Sequence, residues 1–130
     1  LFFGSKANCS SCHSGFNFTN YAFENNGLYE AYADSGRMRL TRLEDDRARF
    51  KVPSLRNVEV TAPYMHDGSI KTLEQVVAHY NSGGIIHKNK NNNLIKPLGL
   101  SKQEQKDLVA FLKSLTDYDF LTNKIYQNEK

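Results

Sequence analysis

Two cysteines occur in the 130 residues, at positions 9 and 12, and a histidine follows the second directly, in Asn8-Cys9-Ser10-Ser11-Cys12-His13. No other stretch restricts the fold so strongly. C-x-x-C-H is the attachment signature of a c-type haem. Two thiols at this spacing suit thioethers to the two vinyl groups on one porphyrin edge. The histidine that follows is then held against one face, where its imidazole can ligate the iron. Cys9 and Cys12 are therefore the expected covalent anchors of one haem c, and His13 its proximal ligand.

Other uses of the motif fit less well. A thioredoxin-like redox pair should follow a strand in a βαβ pattern, and none is expected before Cys9. Zinc would need His13 and one of His66, His79 or His87, whereas structural zinc sites usually draw on a second pair of cysteines. A disulfide across two intervening residues is strained.

The length suits one domain with a modest core. The net charge of +3 is too small and dispersed to argue for nucleic acid. No apolar run is long enough to span a membrane. Eight Phe and seven Tyr would suit the wall of a porphyrin pocket or any small core. The chain starts at Leu1 with only eight residues before the motif, although cytochrome c folds normally place a helix there. This predicts a piece of a longer protein, with residues 1–130 forming a single c-type cytochrome domain. Covalent haem attachment takes place on the outer side of the bacterial inner membrane, which predicts that the parent protein is exported.

Along the chain, Leu1-Phe2-Phe3 and Ala7 supply an apolar face for a short helix into Cys9. Residues 14–36 read as irregular loop. Gly36 to Thr41 and Arg49 to Val52 alternate basic and apolar residues, as two strands of a small ribbon would. Pro63-Tyr64-Met65-His66-Asp67-Gly68 is a turn. Thr72 with Gln75, and Ser101 with Glu104, have the spacing of capping boxes. The first predicts a helix burying Leu73, Val76, Val77 and Tyr80, ended by Gly83-Gly84. The second predicts a helix with Leu108, Val109, Phe111, Leu112 and Leu115 as its apolar stripe. Residues 87–93 read as a solvated polar loop, and the tail from Thr116 as fraying. The expected fold is mainly α and cytochrome c-like, with long irregular loops and a small β-ribbon.

Four segments extend the reading: C-S-S-C-H at 9–13, F-K-V-P-S-L-R-N-V-E-V-T-A-P-Y-M-H-D-G at 50–68, T-L-E-Q-V-V-A-H-Y at 72–80 and L-V-A-F-L-K-S-L at 108–115. Together, in this order, they resemble the C-terminal half of bacterial di-haem cytochrome c peroxidases and their MauG relatives. The resemblance implies a periplasmic two-domain enzyme with one haem per domain. The N-terminal haem reduces hydrogen peroxide to water; the C-terminal one takes electrons from a small cytochrome c or cupredoxin and relays them. This chain corresponds to the relaying domain, so no catalytic residue is expected within it. A MauG-like oxidase acting on a protein or organic substrate is the alternative. A free-standing mono-haem electron carrier is the non-enzymatic one.

The resemblance also bears on the distal ligand. Many family peroxidases carry methionine where Tyr80 stands, whereas the MauG branch has a ligating tyrosine there. Tyr80 is thus the expected distal iron ligand, with Met65 or an open iron as alternatives; Met38 has no supporting context. A thioether raises the reduction potential, whereas an anionic phenolate favours oxidised iron. The family further holds calcium between its domains through backbone carbonyls at positions matching Thr61 and Pro63, with other ligands from the missing half. His66 matches a family histidine near the domain interface.

Overall fold

The computed structural model describes residues 1–126. Its regular elements are short and widely spaced: strand β1 (Phe23–Glu24), helix α1 (Met38–Thr41), strand β2 (Phe50–Lys51), helix α2 (Leu73–Ser82), helix α3 (Lys102–Lys113) and helix α4 (Tyr118–Thr122), joined by loops and single 3-10 turns. No helix among the described residues is long and apolar enough to cross a membrane.

Both longer helices start where their caps dictate. The Thr72 hydroxyl accepts the Gln75 N–H at 3.2 Å, and Gln75 Oε1 accepts the Thr72 N–H at 3.2 Å. Ser101 and Glu104 exchange the same pair of bonds at 3.2 and 2.8 Å. Each box satisfies backbone donors that the first helical turn would leave unpaired. Helix α2 ends at Gly83 with φ 83°, and a Cβ there would stand 2.5 Å from the Pro97 ring, so only glycine fits.

Helices α2 and α3 pack together and bury Leu73, Val77, Leu108, Val109 and Leu112, joined by Phe2, Val58, Leu100 and Leu115. Each such side chain is worth about 1.5–3 kcal/mol of burial. The chain start is fastened to this core. The Phe2 ring lies 4.7 Å from Phe111 and 6.0 Å from Phe18, and Lys6 Nζ donates to both Glu104 carboxylate oxygens at 2.6 and 2.7 Å.

Several expectations fail for local reasons. Residues 1–7 form turns, not a helix, and Asn8 enters the left-handed region at φ 50° just before Cys9. Residues 38–41 form a helical turn where a strand was expected. Four alternating residues cannot specify a period, and the exposed Leu40 and Arg39 show that no buried face enforces one. The β-ribbon exists, but β2 pairs antiparallel with β1, Phe23 opposite Lys51 and Glu24 opposite Phe50. Gly36 and Arg49 form only an isolated bridge.

The polar loop at 87–93 is tied down: the Asn89 amide donates to the carbonyls of Glu44 and Arg47 at 2.8 and 2.9 Å. Regular structure continues into the tail past Thr116, where Asp117 caps α4 by accepting the Phe120 N–H at 2.9 Å. The last four residues of that tail lie outside the described residues.

Candidate haem site

The motif folds into one tight turn. The N–H groups of Cys12 and His13 both donate to the Cys9 carbonyl, at 3.2 and 2.9 Å, so the histidine is wound one turn beyond the first cysteine. The following loop doubles back: the Asn20 N–H donates to the Cys12 carbonyl at 2.8 Å, and its side-chain amide to that of Ser11 at 3.2 Å. The buried Thr19 hydroxyl donates to the Val52 carbonyl at 2.7 Å, fastening this loop to the segment after β2.

That loop orients the imidazole. His13 Nδ1 lies 3.1 Å from the Phe18 carbonyl oxygen. A carbonyl can only accept, so Nδ1 carries the hydrogen and Nε2 keeps its lone pair, the tautomer of a metal-ligating histidine. Burial holds the His13 pKa below the ordinary histidine value, which keeps the ring neutral. Both cysteines are free thiols. Burial pushes the Cys9 thiol up to about 11, and raises that of Cys12 as well.

Cys9, Cys12 and His13 line a cavity of about 340 Å³, and Met65, His66 and Tyr80 line the same cavity. Leu73 and Val77 of α2 and Leu108 and Leu112 of α3 give it apolar walls. Met65 arrives from the turn after Pro63. The Tyr64 N–H donates to the Ile70 carbonyl at 2.7 Å, and Met65 itself is left-handed at φ 72°. The Ala62–Pro63 peptide is cis. Tyr80 comes from the last turn of α2, two turns beyond its cap. Burial raises the Tyr80 pKa, opposed by a hydrogen bond from Asn26.

The sequence reading overlooked Asn26. Its Nδ2 donates to the Met65 sulfur at 3.2 Å and to the Tyr80 hydroxyl at 3.4 Å. Nothing in Asn25-Asn26-Gly27 marks it out as a site residue, since the fold alone brings it to the cavity. Phe50 was also missed; its ring stacks on His66 at 3.8 Å and 17°, and both line the cavity.

Thr61, Pro63, Met38, His79 and His87 do not line the cavity. Thr61 and Pro63 are exposed. His79 Nε2 donates to the Asn26 carbonyl at 3.1 Å, and His87 Nδ1 accepts the Asn89 N–H at 3.1 Å. Among the described residues, no three His, Cys, Asp or Glu side chains gather as a metal site would require, so the zinc arrangement has no counterpart.

The residues fit a haem c. They supply two free thiols and a neutral imidazole with an available Nε2 beside an apolar cavity, and a phenol and a thioether that also reach it.

Residues 2–116 match the cytochrome c family. Cytochrome-c peroxidase IdrP1 of Denitromonas iodatirespirans is 38% identical over 88% of this chain, which covers 38% of that protein. Methylamine utilization protein MauG of Methylorubrum extorquens is 41% identical over 87% of the chain and 32% of its own length. The chain thus spans well under half of these curated relatives. Among solved structures, a MauG-like protein associated with microbial copper homeostasis superposes with a TM-score of 0.91 at 34% identity, covering 97% of this chain and 47% of that one. The chain belongs to the cytochrome c family and, within it, fits the C-terminal haem domain of the di-haem cytochrome c peroxidase and MauG group.

Proposed function

We propose that this chain is a single domain carrying one haem c, held through thioethers to Cys9 and Cys12, with His13 as proximal and Tyr80 as distal iron ligand. It serves as the electron-transfer domain of a periplasmic di-haem peroxidase. The carrying observation is that free thiols, an oriented neutral imidazole and Tyr80 converge on one apolar cavity. A haem c bound there supplies a one-electron iron couple. The chain's own part is to fix the imidazole through the Phe18 carbonyl and to keep water from the apolar walls. It also offers an oxygen donor from α2, with Met65 as the alternative.

Electrons would come from a small cytochrome c or cupredoxin and pass to a peroxidatic haem in an N-terminal domain. Calcium, if the whole protein binds it, would use the Thr61 and Pro63 carbonyls together with that domain.

A specific observation favours a second reading, a MauG-like oxidase. Tyrosine, not methionine, occupies the α2 position in the cavity, and a phenolate favours oxidised iron.

The visible spectrum of the purified protein as a pyridine haemochrome tests the cofactor: a c-type spectrum with one haem per chain is expected, and none would refute it. Tyr80→Phe should abolish the low-spin ferric signal while Met65→Leu keeps it. The reverse result would make Met65 the ligand. Peroxidase assays on the whole protein then separate the two readings, since only the first expects turnover with a small redox-protein donor.

A further inference from the structure

Asn26 lies outside the haem-attachment motif, the Met65 turn and helix α2, yet it touches both distal candidates. One amide nitrogen reaches the Met65 sulfur at 3.2 Å and the Tyr80 oxygen at 3.4 Å. Its backbone is clamped on two sides. His79 Nε2 donates to its carbonyl at 3.1 Å, and Gly84 packs so closely that a Cβ there would stand 2.7 Å from the same oxygen. The preceding residue, Asn25, is fully buried. The backbone that carries the amide is therefore fixed, and the amide's two hydrogen bonds aim it at the two distal candidates.

An amide nitrogen carries two hydrogens and can serve both acceptors, but the acceptors are unequal. A thioether sulfur accepts weakly. A phenolate oxygen takes a charge-assisted bond, roughly twice as strong as a neutral one. Donation to the oxygen fixes it at the cavity wall, and donation to the sulfur ties the thioether back. We propose that Asn26 is a positioning residue for the distal ligand, fixing the Tyr80 oxygen and restraining the Met65 sulfur so that oxygen is presented to the iron. This rests on the Tyr80 assignment above and adds what selects between the two groups.

The test uses the haem-loaded protein, produced with attachment machinery, and reads the ferric absorption and magnetic resonance spectra and the midpoint potential. Asn26→Leu should lose much of the tyrosinate signal and gain the long-wavelength sulfur-to-iron band, with a higher midpoint potential as the thioether takes over. The new band should vanish in Asn26→Leu/Met65→Leu. A merely structural role would not create it. Asn26→Ala removes the amide without adding bulk and gives the same readout if leucine blocks haem insertion. Wild-type spectra and potential in both variants would overturn the proposal. An unchanged spectrum in Tyr80→Phe would instead overturn the ligand assignment itself, and the selection role with it.

Discussion

Asn25→Ala should be among the most damaging substitutions that leave haem ligation untouched. Among the described residues, Asn25 is the one large side chain with no solvent exposure, and its amide joins three separate parts of the chain. Nδ2 donates to the Ala48 carbonyl at 2.9 Å and lies 3.3 Å from His87 Nδ1. Oδ1 accepts the Gly27 N–H at 2.8 Å and the Tyr32 hydroxyl at 3.4 Å. Alanine would strand the Gly27 donor and the Ala48 acceptor, both in buried residues. A buried polar group that loses its partner costs about 1–3 kcal/mol. With two such groups, and relaxation recovering part, the expected loss is about 3 kcal/mol, a sizeable share of a typical stability of about 5–15 kcal/mol. Denaturant unfolding of the haem-loaded protein would show it as a lower midpoint at unchanged slope. Asn93→Ala, at an exposed position, is the control and should stay within about 0.5 kcal/mol. A loss below about 1 kcal/mol for Asn25→Ala would refute the reasoning, because the stranded groups would then have found other partners.

Other outcomes follow from the caps and from His87. Thr72→Ala and Ser101→Ala should each lower stability by about 1 kcal/mol in the same unfolding assay, because each removes the acceptor of an observed capping bond. His87 has its pKa lowered, first by burial and then by the charges of Lys88 and Arg47. The unfolded chain, with an ordinary value near 6.5, then binds a proton that the folded chain releases, so stability is lost as pH falls below about 6.5. His87→Gln should make unfolding midpoints less dependent on pH between about pH 5 and 7; a slope at least as steep as wild type would contradict this. His79, lowered mainly by burial, acts in the same direction, so some slope should remain.

How far such features can be read from sequence depends on the range over which they are encoded. The capping boxes of α2 and α3 are complete within four residues, and both helices begin at the expected positions. The apolar stripes follow from the same local periodicity. Pairing of β1 with β2 joins residues 23–24 to 50–51, and two-residue strands leave no alternation to detect. The helical turn at Met38–Thr41 is too short for propensity to decide. Asp117, by contrast, was a legible cap that the polarity of the tail obscured.

The cavity divides in the same way. Cys9, Cys12 and His13 announce themselves by spacing and Met65 offers itself only as a thioether in a loop, whereas Tyr80 required the family resemblance. Asn26 required the fold, since it meets Met65 and Tyr80 across 39 and 54 residues of chain.

The half-buried Cys9 thiol has a consequence for maturation. With its pKa pushed up to about 11 by burial, Cys9 stays in the thiol form at neutral pH once the chain has folded. Sulfur in that state is a poor nucleophile and resists oxidation. In the folded, unattached polypeptide Cys9 is therefore a quiet substrate for thiol chemistry of either kind, productive or damaging. Thioether formation is best served while the motif is still open to solvent and to the attachment machinery, before Phe2 and Phe18 close over Phe111. The partial burial of this one sulfur atom thus favours attachment ahead of aromatic closure.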